Sequence, residues 1–391
     1  MNSNNSANNH GRLLTLTACL LITFCMGTVH AFSTLIQNIE IQTNVGRMAS
    51  SLVYSTALIN VTLAVYVGHI LYRKFSPKVL ICFIAILPII GLFISNSESW
   101  LGWIIGYGMC FGFSSGLGYG LSLYIVSSVT ENKKLGFALG LVTASYAFGA
   151  VIFSMIYPLL FDYFGFKNGY IFGLLILSSI VVIGLILFST SRVKIEQESL
   201  ISQQKDFNET KIFKLWLGYF FGVFAGLMII GHAVPMISSF GGSASTSITA
   251  ITLMTLGSGI AGIYAGWLVD RFGCKRPLLA ILMINALAIL ALSIMTNINL
   301  LLILLVLIAS LYGAVIAIYP TLVSHIVGNN LSAVVYGKVF TAWGTAGLIS
   351  PSLAGWLFEK NNNYDASIIL TLTISIVAIL IIWTMKYSIK D

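Results

Sequence analysis

The chain has 391 residues, of which 58% are hydrophobic and 8% charged, with a net charge of +8. A soluble domain carries roughly a quarter charged residues, so there is too little charge here to coat a water-facing surface, and the main solvent must be lipid. The apolar stretches are long and continuous, which favours helices over barrel strands: a hydrocarbon core of ~30 Å takes about 20 apolar residues in a helix but only about 10 alternating ones in a strand.

Residues 1–11 are polar and Asn-rich and are predicted to form a disordered cytoplasmic tail. Arg12 then precedes a long apolar run. A signal peptide would use Val29-His30-Ala31 as a poor cleavage site, and the run exceeds the roughly 7–15 residues of a typical h-region. It reads instead as the first of twelve spans. The first six are expected at about 13–36, 48–71, 79–96, 101–128, 134–160 and 168–190. The second six are expected at about 213–238, 246–269, 277–296, 299–326, 334–358 and 366–387. Between them, residues 191–212 hold Arg192, Lys194, Glu196, Glu198, Lys205, Asp206, Glu209 and Lys211, the composition of a cytoplasmic linker. The domain organisation is therefore a tail (1–11), an N-terminal bundle (12–190), a linker (191–212) and a C-terminal bundle (213–391).

Basic residues orient the spans, because cytoplasmic loops are enriched in Lys and Arg. With both termini inside, sixteen of the twenty Lys and Arg fall in cytoplasmic segments. Only Arg47, Lys167 and Lys360 fall outside, and Lys338 lies just within span eleven. Orientation thus accounts for the positive balance without nucleic acid as a partner. The expected location is the inner (cytoplasmic) membrane. The five cysteines have no CxxC spacing and read as unpaired packing thiols.

An internal repeat supports two halves. Tyr66-Val67-Gly68 with Arg73 and Lys78 returns as Tyr264-Ala265-Gly266 with Arg271 and Arg276, an offset of 198. The same offset maps Thr143-Ala144 and Gly149 onto Thr341-Ala342 and Gly347.

The strongest motif is Gly266-Trp267-Leu268-Val269-Asp270-Arg271-Phe272-Gly273-Cys274-Lys275-Arg276. It resembles the G-x-L-x-D-R-x-G-R-[KR] signature of the major facilitator superfamily, with Cys274 where that signature has an Arg. The resemblance covers essentially the whole chain. It implies an all-α membrane protein with the major facilitator fold, twelve transmembrane helices in two pseudo-symmetric six-helix bundles. It also implies a cytoplasmic gate formed by Gly266, Asp270, Arg271, Gly273 and Arg276. Gly266 would allow close helix approach, and Asp270 would sit near the positive end of a neighbouring helix. Simple positive-inside anchoring is the plainer alternative. The first-half copy adds Gly68 and Arg73 to that expected gate but is degraded, since Tyr72 stands where the family usually has Asp.

A narrower resemblance is to the oxalate/formate antiporter family. Tyr336-Gly337-Lys338-Val339-Phe340-Thr341-Ala342-Trp343-Gly344-Thr345-Ala346-Gly347 looks like its span eleven, and Gly116-Leu117-Gly118-Tyr119-Gly120 with Tyr124 like its span four. Gly27-Thr28-Val29-His30-Ala31-Phe32-Ser33 fits its span one, with His30 in place of the usual Tyr. Oxalate-specific members hold the dianion with a cation from span eight and a lysine in span eleven. Here span eight has neither Arg nor Lys, and Trp343 stands at the span-eleven position. Oxalate itself is therefore not the expected solute.

The spans contain no deeply placed Asp or Glu. His30 and His232 are the titratable candidates, each able to hold a carboxylate or a proton, or to serve as an ordinary hydrogen-bonded residue. Tyr124, Tyr146, Tyr312 and Trp343 are candidate cavity walls, with plain packing as the alternative. Glycines recur every fourth residue at Gly108, Gly112, Gly116 and Gly120 and again at Gly218, Gly222 and Gly226. Such faces suit either a rocking contact or static packing. No metal-ligand cluster, P-loop or nucleophile motif is visible, so no cofactor and no enzymatic activity are expected. The expected partners are a small-molecule solute, with a coupled proton as one option, and the lipid bilayer; the chain is expected to act as a monomer. The reading is secondary transport of a small organic anion, a monocarboxylate first, by antiport or proton symport. Efflux of a larger amphipathic compound is the alternative.

Overall fold

The computed structural model describes residues 2–96, 98–193, 195, 209–295 and 297–385. Every regular element among them is helical. In lipid this follows from the backbone: an N–H or C=O left unpaired in hydrocarbon costs several kcal/mol, and a helix pairs them all within one segment. The first helix, α1 (Asn2–Gly27), passes into a 3₁₀ segment, Thr28–Thr34, and then into the short α2 (Ile36–Thr43). Then come α3 (Arg47–Lys74), α4 (Pro77–Ser95) and α5 (Trp100–Trp103). A π-helical stretch, Ile104–Phe111, joins α5 to α6 (Gly112–Val129), and α7 runs over Leu135–Thr190. In the second half lie α8 (Glu209–Gly231), α9 (Ala233–Ser239), α10 (Ala244–Phe272) and α11 (Lys275–Ile294). The chain ends with α12 (Ile298–Val327), α13 (Asn329–Asn361) and α14 (Asp365–Thr384).

Local chemistry sets the ends. Ser76 caps Val79 N–H with Pro77 at the first helical position, Ser99 caps Gly102, and Ser243 caps Thr246. Each side-chain oxygen takes an N–H that has no partner within its own helix. Ten segments among the described residues are long and apolar enough to cross a membrane. One of them, residues 132–190, is two spans: at Gly165 the backbone turns to φ 75, ψ 164, a left-handed region open to glycine. The two arms fold back on each other, with the Tyr157 and Tyr170 rings 6.5 Å apart. The remaining span is α13, whose 33 residues are long enough but diluted by Gly, Ser and Thr. The chain is thus a multi-pass membrane protein, with twelve spans among the described residues.

Two details depart from the sequence expectations. The helix α1 reaches back to Asn2, through a segment that no proline interrupts, where disorder was expected. Of the linker at 191–212, residues 194 and 196–208 lie outside the described residues, while 209–212 already belong to α8.

By packing, the chain divides into two units. Unit 1 comprises Met1–Glu131, Ser145–Gln204 and Asn329–Gly337; unit 2 comprises Asn132–Ala144, Lys205–Gly328 and Lys338–Asp391. In unit 1, α1 and α7 touch backbone to backbone: a Cβ on Gly27 would strike the Tyr146 carbonyl, and one on Gly149 the Phe24 carbonyl. The glycine face of span four lies on α3, where Gly112 and Gly116 leave no room between themselves and Ala57 and Val61. In unit 2 the glycine face of α8 lies on α12, with Gly226 against Tyr312 and Gly222 against Val315. Both glycine faces are therefore packed inside a unit. The core of unit 2 holds an apolar cluster, with Ile229, Ile237, Ile289, Leu305 and Ile308 at 2% exposure or less.

Candidate solute-binding site

His30 sits in the 3₁₀ segment that breaks span one. Its Nδ1 is 2.6 Å from the Tyr54 hydroxyl on α3. The ring stands edge-on to Tyr146 of α7, with centroids 5.5 Å apart. Tyr146 in turn bonds Ser115 of α6 at 2.8 Å and lies against Tyr119, 5.1 Å away. Phe32 stacks on Tyr54 at 5.3 Å and touches Tyr107 at 5.2 Å. Unit 1 therefore holds a cluster of one imidazole, four phenols and a serine, drawn from span one, α3, α6 with its π-helical extension, and α7. His30, Tyr54 and Tyr146 are half-buried, whereas Ser115 is fully buried.

The break in span one is held from the side. Tyr107, carried by the π-helical stretch, donates to the Val29 carbonyl at 2.8 Å. Ser115 donates to the Met26 carbonyl at 2.7 Å, and Thr28 to that of Cys25 at the same distance. Changing from α to 3₁₀ pairing disturbs the carbonyl ladder, and buried carbonyls away from water need partners. Hydroxyls from α6, from its π-helical extension and from Thr28 of the segment itself supply them. The same bonds fix where His30 points.

Tyr124 is not part of this cluster. It lies nine residues beyond Ser115 on α6, about 13 Å along the axis, and stacks on Tyr72 at 5.2 Å. The Tyr72 ring fills the space over Gly68 and Gly120: its hydroxyl lies 2.5 Å and 2.7 Å from where a Cβ on each would stand. The residue that replaces the signature's Asp thus makes an aromatic stack in the core of unit 1, where it is 3% exposed. Arg73 follows in the last turn of α3.

In unit 2, Trp343 Nε1 donates to the Tyr312 hydroxyl at 2.8 Å, which brings these two predicted wall residues together. Phe340 stacks on Trp343 at 5.1 Å. His232 is elsewhere in that unit, at the junction of α8 and α9. Its Nε2 is 2.9 Å from the Pro351 carbonyl and its Nδ1 3.1 Å from the Tyr364 hydroxyl. A carbonyl only accepts, so Nε2 carries a proton; in the neutral ring Nδ1 then accepts from Tyr364. Both nitrogens are committed to the protein, the arrangement of a structural histidine.

The glycine-rich signature also lies in unit 2. Asp270 Oδ1 accepts from Gly136 N–H at 2.6 Å and Oδ2 from Phe137 N–H at 2.8 Å. These are first-turn amides of α7, where the helix dipole favours an anion. A Cβ on Gly266 would strike the Gly136 carbonyl, so the backbones touch there. Gly273 ends α10 with φ 74. Arg271 lies over the Trp267 ring at 5.4 Å, and Arg276 is exposed in the first turn of α11. Cys274 is buried, with Sγ 3.4 Å from His325 Nδ1. Burial, and secondarily the Asp270 carboxylate, push its thiol up to about 12. Lys338 reaches an exposed ion pair with Glu209 at 3.3 Å.

Sequence reasoning missed Tyr54, Ser115, Tyr107 and Tyr119. Each is one hydroxyl among many on apolar helices. Only the Gly27–Tyr146 and Gly149–Phe24 contacts, which bring α1 and α7 together, single them out.

Three comparisons with known proteins bear on this geometry. The profile of the Major Facilitator Superfamily matches residues 16–219 and 215–389. The chain is 22% identical over 276 residues to the oxalate:formate antiporter of Oxalobacter formigenes, covering 68% of this chain and 66% of that protein. It is 27% identical over 144 residues to monocarboxylate transporter 12 of Xenopus laevis, covering 36% of this chain and 31% of that protein. Among solved structures, the transporter FucP in its outward conformation superposes with a TM-score of 0.74 at 15% identity, over 97% of this chain and 100% of that one. That last likeness concerns the fold alone.

Proposed function

Because the chain belongs to the Major Facilitator Superfamily, we propose that it is a secondary active transporter of a small organic anion, a monocarboxylate first. Transport proceeds by antiport or proton symport, by alternating access. The chain lies in the inner membrane with both termini cytoplasmic. The observation that carries this reading is the His30 cluster: an imidazole 2.6 Å from the Tyr54 hydroxyl and edge-on to Tyr146, in a 3₁₀ break that otherwise offers only apolar and hydroxyl side chains.

A carboxylate accepts hydrogen bonds and donates none, so its site must supply donors. A protonated imidazole supplies both charge and N–H groups. With no Lys or Arg in this cluster, His30 is the group able to match a single negative charge, which favours a monoanion over a dianion. The two distant relatives, named for oxalate and formate and for monocarboxylates, agree with that solute class. Trp343 and Tyr312 are proposed as the corresponding walls in the second half. Asp270, with Gly136 and Phe137, is proposed as the latch on the cytoplasmic side, which Gly266, Gly273, Arg271 and Arg276 complete.

Thermal unfolding of the purified protein tests the reading. A ligand that binds the folded state raises the midpoint by mass action. Formate, acetate, pyruvate or lactate at millimolar concentration is expected to raise it in the wild type and not in His30→Ala. A protein stabilised by hydrophobic compounds and indifferent to all four carboxylates contradicts the reading and favours efflux.

A further inference from the structure

The cluster around His30 contains a hydrogen-bond chain whose direction is determined. Ser115 Oγ lies 2.7 Å from the Met26 carbonyl and 2.8 Å from the Tyr146 hydroxyl. Serine has one proton to give, and a carbonyl can only accept. Both contacts are made together in one way: Ser115 donates to Met26, and Tyr146 donates to Ser115. The proton of Tyr146 is therefore directed into the protein. What Tyr146 offers toward His30 and the rest of the cluster is its oxygen as an acceptor.

The chain is anchored at both ends. Ser115 is fully buried. The Met26 carbonyl lies just before the 3₁₀ segment at Thr28, and Gly27 presses on the Tyr146 backbone, so its position is set by the same contact that positions Tyr146. Reversing the chain would withdraw the Ser115 proton from Met26, a loss of the kind that costs about 1–3 kcal/mol for a buried group.

We infer that Ser115 fixes the polarity of the Tyr146 hydroxyl and makes Tyr146 a specificity-determining acceptor, selecting solutes that carry a hydroxyl donor beside their carboxylate. This rests on the His30 cluster being the solute site. His30 holds the carboxylate; Tyr146, whose ring lies 5.5 Å from that of His30, receives the hydroxyl of the same small molecule. A 2-hydroxy monocarboxylate matches both groups, whereas its deoxy counterpart leaves the Tyr146 oxygen without a donor. Ser115 is a positioning residue, acting through Tyr146.

The test compares matched pairs, lactate with propionate and glycolate with acetate, as competitors for uptake into proteoliposomes. The wild type is expected to favour the hydroxy acid about five- to tenfold, the value of one neutral hydrogen bond. In Tyr146→Phe the ratio is expected to fall to about one. In Ser115→Ala the Tyr146 proton is released to the solute side, and the ratio is expected to shrink or invert. A structural role for Ser115 would change uptake of both members together and leave the ratio unmoved. Equal competition by both members in the wild type, or an unchanged ratio in Tyr146→Phe, overturns the inference and leaves the carboxylate reading standing. Competition by neither member overturns both.

Discussion

The carboxylate of Asp270, at the end of α10, accepts the backbone N–H of Gly136 at 2.6 Å, 134 residues away at the start of α7. Its second oxygen takes the next amide, of Phe137, at 2.8 Å. One side chain thus satisfies two first-turn amides and places a negative charge at the positive end of a helix dipole. Asp270→Asn keeps the shape and removes the charge. It is expected to cost about 1–2 kcal/mol, seen as a thermal midpoint lowered by a few degrees. An unchanged midpoint would show that Gly136 and Gly266 alone hold these helices together.

The two span histidines are expected to respond differently to substitution. His232 has both ring nitrogens bound, to Pro351 and Tyr364, across the α8–α9 junction. His232→Ala removes two side-chain hydrogen bonds at a half-buried junction and is expected to destabilise by about 1–2 kcal/mol. Carboxylate affinity, measured below the melting temperature, is expected to stay within about twofold. Loss of affinity with an unchanged midpoint would move His232 into the site.

Much of this architecture is legible in the sequence, because lipid is an exacting solvent. A span needs about 20 apolar residues, so eleven of the twelve are plain from hydropathy, and the repeat offset of 198 identifies α13 despite its Gly, Ser and Thr. His30 is conspicuous for the same reason: an imidazole within an apolar run. Its partners are not conspicuous. Tyr54 and Ser115 resemble the many other hydroxyls on these helices, and only three-dimensional packing brings them to positions 30 and 146. The Tyr124 assignment shows the same limit, since a motif match carries no information about depth along α6. The 3₁₀ break of span one has no proline to announce it.

Tyr72 yields a prediction contrary to the family pattern. Restoring the signature's Asp there would remove an aromatic ring that fills the space over Gly68 and Gly120 and stacks on Tyr124. It would also bury a carboxylate at a 3%-exposed position. Losing a buried aromatic side chain costs on the order of 3–5 kcal/mol, and the charge adds to that. Tyr72→Asp is expected to give little folded protein by size-exclusion profile, while Tyr72→Phe folds normally. Equal yields of the two variants would show that the stack contributes little.

Cys274 occupies the position of a signature Arg, buried beside His325. With its thiol pushed up to about 12 by burial, the thiolate that reacts with alkylating agents is scarce near neutrality. A variant retaining only this cysteine is expected to label with N-ethylmaleimide at least tenfold more slowly than after denaturation, at pH 7 and still at pH 9. Labelling at the rate of an exposed thiol would contradict the buried placement.

The central claim is that a solute carboxylate meets His30 within the break of span one. Counterflow of labelled monocarboxylates into proteoliposomes, wild type beside His30→Ala, tests it most directly. Saturable uptake by the wild type, lost in His30→Ala at equal reconstitution and equal thermal midpoint, is the expected result. Uptake that persists in His30→Ala, or no uptake of any monocarboxylate by the wild type while empty liposomes stay tight, would contradict it.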